Sequence, residues 1–284
     1  MNTSPSPSRP VLRYHGGKSR LALWIIGHFP AHRVYVEPYG GAASVLMRKS
    51  PTHCDVYNDL DASVVNVFRV LRDSTRAREL ERLLRLTPFS RVEFERAQEP
   101  CADPVEQARR TVIRMAMGMG SDAIHRKRRT GFRSRREGDR SPAHDFAAYP
   151  QLLECFSHRL RTVTVEMLPA LEVIERYDGG RTLFYVDPPY VHSQRTQVAK
   201  GGGYAHEMTD TDHEALSERL HAVEGMVVLS GYDSELYRRL YPDWPVFRRR
   251  VMADKAVPRV ECLWLSPWTA AKLDRRSTLL EVAG

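Results

Sequence analysis

The stretch 34-VYVEPYGGAASVLM-47 decides the fold. Val34 to Glu37 reads as a short strand that ends on a carboxylate. Gly40 and Gly41 follow; without a Cβ, backbone there can approach a ligand closely. Small residues then lead into a predicted helix through Val45, Leu46 and Met47. Outward from this stretch, Asp55 to Tyr57 reads as a second strand that closes at Asn58-Asp59. The spacing of Val64, Val67, Phe68 and Leu71 predicts a helix after it. Strand, glycine turn, helix, strand is the opening of a doubly wound α/β sheet, a fold that binds ligands at the carboxyl ends of its strands. Upstream, Lys18 to His28 has helical spacing.

The chain has 284 residues, 42% of them hydrophobic, enough for a sizeable core. No apolar run is long enough to span a bilayer, so no membrane partner is expected. Residues 1–11 begin MNTSPSPSRP, polar and proline-rich, and read as a disordered leader rather than a signal peptide. Cys54, Cys101, Cys155 and Cys262 are far apart with no CxxC pairing, which points to free thiols in a cytoplasmic protein and away from zinc or a disulfide framework.

After about Asp73 the pattern changes. Residues 75–119 read as helices, followed by the basic stretch 121-SDAIHRKRRTGFRSRREGDRSP-142. Arg126, Lys127, Arg128, Arg129, Arg133, Arg135 and Arg136 carry nearly the whole formal net charge of +8, so the excess is local and suggests a polyanionic partner. A solvated charged loop is the plainer reading of such a block. The α/β pattern resumes near Val163, with strands expected at 163–165, 182–186, 226–230, 246–252 and 260–265. Helices are expected between the first two and over 212–223. The expected division is an α/β domain over 12–73 and 160–284, interrupted by a helical, basic insertion at 74–159.

Three loops carry candidate chemistry. Glu37 sits at a strand end, and Asp59 closes the next strand, where a carboxylate accepts hydrogen bonds from both hydroxyls of a ribose. With Gly40 and Gly41 these residues suggest a nucleoside-containing cofactor; an ordinary strand-to-helix turn is the alternative. GxxxxGK[ST] is absent, which disfavours a P-loop ATPase, and GxGxxG is absent, which disfavours a dinucleotide. In 14-YHGGKS-19, two glycines and a lysine form either an anion cradle at a helix start or a plain turn. In 182-TLFYVDPPYVH-192, an apolar strand stops at Asp187. Pro188 and Pro189 fix φ and donate no N–H, leaving free carbonyl acceptors in a stiff turn. Asp187 and the Pro188 carbonyl can each accept one N–H of an exocyclic amino group while Tyr190 stacks on its ring. That draws the nitrogen out of conjugation and frees its lone pair. His206 and His213 lack metal-ligand spacing, Trp24 and Trp264 read as core, and Ser230-Gly231-Tyr232 is a lesser candidate border of the base pocket.

Tyr14-His15-Gly16-Gly17-Lys18, Glu37-Pro38-Tyr39-Gly40-Gly41, Asp59 and Asp187-Pro188-Pro189-Tyr190, in this order and around an inserted region, resemble the Dam-like (D12 class) DNA adenine N6-methyltransferases. The resemblance spans Leu12 to about Trp268. It implies a Rossmann-like S-adenosylmethionine-dependent methyltransferase sheet with an inserted recognition domain. The implied reaction is site-specific methyl transfer from S-adenosylmethionine to N6 of an adenine flipped out of double-stranded DNA. No metal is implied, and a monomer, associated with the nucleoid through DNA, is the default expectation. By match, Tyr14, Lys18, Glu37, Tyr39, Gly40, Gly41, Asp59 and Asp187 would surround the donor, and Asp187, Pro188, Pro189 and Tyr190 would hold the adenine. The basic block would contact phosphates, and Arg133, Arg135 or Arg136 would read guanine edges. Two positions depart from the family's habit: Ala43 stands where a further glycine is frequent, and Tyr14 where tryptophan is frequent. An RNA adenine methyltransferase, or a DNA-binding protein of this fold without catalysis, is the alternative.

Overall fold

The computed structural model describes residues 10–12, 17–119, 131–134, 141–190, 207–252 and 258–282. Seven strands form one sheet: β1 (Val34–Glu37), β2 (Cys54–Asn58), β3 (Val163–Glu166), β4 (Thr182–Val186), β5 (Met226–Tyr232), β6 (Val246–Met252) and β7 (Pro258–Leu265). Their order is β3-β2-β1-β4-β5-β7-β6. The first five run parallel, while β7 lies antiparallel to both β5 and β6. From β1 the chain moves to β2 on one side and later returns to β4 on the other. A crevice therefore opens at the carboxyl ends of β1 and β4, the topological switch point where such sheets take ligands.

The sheet is covered on both faces near its centre, which is why the central strand β4 is apolar after its first residue and buried along its whole length. Alternation sends Tyr35, Leu183 and Tyr185 to one face, and Val36, Phe184 and Val186 to the other. The first face packs against α1 (Ala22–Ile26), α2 (Ala62–Arg72), α3 (Ser74–Leu86), α5 (Pro104–Met117) and α7 (Leu153–Leu160). Two short helices, α4 (Arg91–Arg96) and α6 (Pro142–Ala147), add Phe94 and Phe146 to that core. The second face packs against α8 (Ala170–Arg176), α9 (Asp210–Ala222) and α10 (Glu235–Leu240), and α11 (Pro267–Val282) closes the chain. Val64, Val67, Phe68 and Leu71 are all buried, as the periodicity predicts. Asp73 caps both neighbours: it ends α2, and its carboxylate accepts from the backbone N–H groups of Thr75 and Arg76 at the start of α3. Residues of α3, α5 and α7 thus share one continuous core with α2 and the sheet.

The helix expected through Val45, Leu46 and Met47 is instead a run of turns. Met47 N–H reaches the Ala43 carbonyl at 3.0 Å, but Leu46 N–H donates to Glu37 Oε1 at 2.7 Å. A carboxylate from the preceding strand has taken a bond that a helix needs. Ala43 adds a left-handed backbone, φ 52°, which continues no right-handed helix and strains an L-residue by about 1–2 kcal/mol. The position where the related loops often place glycine is thus one where the backbone favours it.

Candidate active site

Glu37, at the end of β1, is buried. Its Oε1 accepts from the Tyr35 hydroxyl and from Leu46 N–H, both at 2.7 Å. Burial pushes this carboxyl up to about 8, assisted by nearby Asp187 and opposed by the two hydrogen bonds. The folded state thus holds this proton more tightly than the unfolded chain. The resulting stability is full below the ordinary carboxylate range and is lost as pH rises through about 8.

The turn after β1 is pressed onto β2. A Cβ on Gly40 would lie 2.2 Å from Tyr57 Cε2. That ring cannot yield: it stacks on Phe68 with centroids 4.3 Å apart, and its hydroxyl donates to the Gly41 carbonyl at 2.7 Å. Gly41 N–H donates to Asp59 Oδ2 and Asp61 N–H to Asp59 Oδ1, each at 2.8 Å. Asn58 ties three strand ends together. Its amide nitrogen donates to the carbonyls of Pro38 at 2.8 Å and Leu168 at 3.0 Å, and its oxygen accepts from Leu168 N–H at 2.9 Å. Gly40→Ala should drive the turn off Tyr57. The expected result, read by a thermal melt, is a loss of about 1–3 kcal/mol of stability.

At the end of β4, Asp187 Oδ1 pairs with Lys18 Nζ at 2.9 Å. Burial raises the Asp187 carboxyl above its ordinary value, the Lys18 ammonium pulls it back, and the charge of Glu261 on β7 raises it again. Lys18 Nζ also lies 3.7 Å from Glu261 Oε1 and 4.8 Å from the centre of the Tyr190 ring. The Tyr190 hydroxyl donates to Glu261, and its ring meets Tyr232 edge-on at 4.5 Å. Burial and the two carboxylates push the Tyr190 hydroxyl well above its ordinary value.

These loops enclose a cavity of about 430 Å³ at the switch point. Lys18, Glu37, Tyr39, Gly40, Gly41, Asp59, Asp187 and Pro189 all line it, so residues chosen in three separate motifs meet at one site. Leu60, Pro169, Leu171 and Met208 supply an apolar wall. Glu37, Asp59, Asp61, Asp187, Glu207 and Asp212 line it together with Lys18, so an acidic cavity sits in a protein of formal net charge +8.

Tyr14 lies outside the described residues, as do His206 and Arg126, Lys127, Arg128, Arg129, Arg135 and Arg136 of the basic block. Arg133 is described: its N–H donates to the Met117 carbonyl at 2.6 Å, beside the bridge between Gly118 and Phe132. Phe132, in the middle of the block, packs against Phe89 and against Phe94 of α4, which fixes this point of the block to the core. Trp264 is core, as expected, whereas Trp24 is only partly buried, under the Arg249 guanidinium. Among the described residues no cluster of metal-ligating side chains occurs, and no helix is long and apolar enough to cross a membrane. Sequence reasoning missed Glu261 and the role of Asn58. The available signals were a lone acid within the apolar 260-VECLWL-265 and an Asn-Asp pair at a strand end.

A seven-stranded mixed sheet of this order, with a cavity at its switch point, is consistent with the Rossmann-like fold of a methyltransferase. The chain belongs to the D12 class N6 adenine-specific DNA methyltransferase family, whose model matches residues 14–255. It is thus an S-adenosylmethionine-dependent enzyme acting on DNA. No curated protein matches the chain at a significant level.

Proposed function

We propose that S-adenosylmethionine binds in the switch-point cavity and that Asp187 and Tyr190 present a flipped-out adenine of double-stranded DNA to it. The acidic lining carries this reading. The donor bears a sulfonium and an ammonium, and a cavity rich in carboxylates favours such a cation over a phosphorylated cofactor. Asp59, oriented by Gly41 and Asp61, is a carboxylate at the cavity wall, and each of its oxygens can accept more than one hydrogen bond, which suits a pair of ribose hydroxyls. Leu60, Pro169 and Leu171 offer flat apolar walls for the donor's base. Bound there, the donor supplies an electrophilic methyl group. Asp187 and the Pro188 carbonyl would accept the two N6 hydrogens and draw the nitrogen out of conjugation with the ring. The Asp187 carboxylate would then stabilise the positive charge that methylation leaves on N6 until one N6 proton passes to water.

The insertion over 74–159 is the proposed DNA-recognition region, and its basic block would grip the phosphates. Labelled S-adenosylmethionine incubated with unmethylated genomic DNA should yield N6-methyladenine on nucleoside analysis. Label in structured RNA instead would change the substrate, and donor binding without transfer to either would leave a binding protein. Replacing Arg133, Arg135 and Arg136 with Ala should weaken DNA binding. It should also flatten the plot of log affinity against log salt by about one unit for each phosphate no longer neutralised. An unchanged slope would remove the block from the interface.

A further inference from the structure

Glu261 is a carboxylate where an apolar strand would be expected to continue. It is buried on β7, preceding Cys262, Leu263, Trp264 and Leu265, which are all buried too. A buried carboxylate costs several kcal/mol unless hydrogen bonds and opposite charge offset it. Here the offset comes from three groups: the Tyr190 hydroxyl, the Ser230 hydroxyl at 2.9 Å and the Lys18 ammonium at 3.7 Å. Two of the three belong to the candidate active site. Were stability the only function, an apolar residue at 261 would serve as well.

We infer that Glu261 is a positioning residue, which tethers the Tyr190 hydroxyl to β7 and so fixes the plane of the ring on which the target adenine stacks. The inference rests on the assignment of Tyr190 to the adenine. The backbone of Tyr190 is constrained on one side by Pro188-Pro189, and the tether constrains the far end of the side chain. The register supports it. Glu261 lies directly opposite Tyr232 in the antiparallel pair, with Ser230 two residues along β5. All three side chains therefore share the face on which Tyr190 and Lys18 sit. Lys18 Nζ lies 2.9 Å from Asp187 Oδ1 and 3.7 Å from Glu261 Oε1, so one ammonium bridges the residue that grips N6 and the residue that orients the stacking ring. A ring oriented before the base arrives saves ordering cost at capture, and a displacement of about 1 Å at such a point can slow a reaction about 100-fold.

The test is single-turnover methyl transfer to DNA, with donor affinity measured separately by calorimetry. Glu261→Ala should slow transfer about 10- to 100-fold and change donor affinity by less than about threefold. Glu261→Gln keeps an acceptor oxygen for the Tyr190 and Ser230 hydroxyls and should recover most of the rate. Tyr190→Phe removes only the hydroxyl and leaves the strand intact, so it should reproduce the slow rate even if Glu261→Ala folds poorly. In the double variant the two losses should not multiply. Wild-type rates in Glu261→Ala or Tyr190→Phe, multiplying losses, or a matching fall in donor affinity would overturn the inference. Absence of transfer by the wild-type protein would instead overturn the functional assignment on which it rests.

Discussion

Asp187→Ala is expected to abolish methyl transfer, with a loss of about 1,000-fold or more, while leaving the protein folded. The loss follows from the role proposed for the carboxylate: without it, one N6 hydrogen would have no acceptor and the nitrogen would stay conjugated with the ring. The fold should survive because Lys18, the buried partner of Asp187, keeps Glu261 within 3.7 Å and is not left without a carboxylate. Asp187→Asn keeps an acceptor oxygen and should retain measurable turnover. The measurement is N6-methyladenine formed per enzyme, with a thermal melt beside it. Turnover by Asp187→Ala near the wild-type rate would refute the assigned role.

Asp55→Ala is expected to have the largest effect on stability, a loss of about 3–5 kcal/mol. Asp55 is buried on β2 between two cations: Lys49 Nζ lies 3.1 Å from Oδ1, and Arg159 Nη2 lies 2.7 Å from Oδ2. Lys49 and Arg159 are themselves buried, so truncation leaves two interior charges without their carboxylate. Arg159 comes from α7, the last helix before β3, so the pair also fastens that helix to the sheet. The melting temperature should fall by roughly 10 °C for a chain of this size. The pH dependence gives a second check. Burial alone would raise the Asp55 carboxyl, but the Thr52 hydrogen bond and the two cations outweigh it and leave it below its ordinary value. A carboxylate held low stabilises the fold above its unfolded-state value, and that stability is lost as pH falls through the lowered one. Between neutral pH and strong acid, the wild type should therefore lose more stability than Asp55→Ala. Parallel pH curves for the two proteins would show that the buried cluster contributes nothing.

Much of the site was legible because its motifs are local. A strand ending in a carboxylate, a glycine pair, an acid closing the next strand and a proline-stiffened turn are short-range features, and backbone conformation follows from them directly. The run of turns after Gly41 was not legible as such, because the carboxylate that captures Leu46 N–H comes from Glu37, nine residues earlier. Composition between 42 and 47 suits a helix; a side chain from outside that window decides otherwise.

The sequence by itself determined the alternating strands, the helix faces, the three loops that line the cavity and the family to which the chain belongs. Only the tertiary structure decided which distant side chains meet. Tyr190 and Glu261 are 71 residues apart, Asp55 and Arg159 are 104 apart, and Asn58 and Leu168 are 110 apart. Each of these pairings depends on which strand or helix lies beside which: β7 between β5 and β6, α7 against β2, β3 beside β2. Periodicity and turn chemistry act over a few residues and are written along the chain. Neighbours across a crossover are set by the packing of whole elements, and a buried carboxylate such as Glu261 acquires its purpose only when that packing brings a hydroxyl and an ammonium to it.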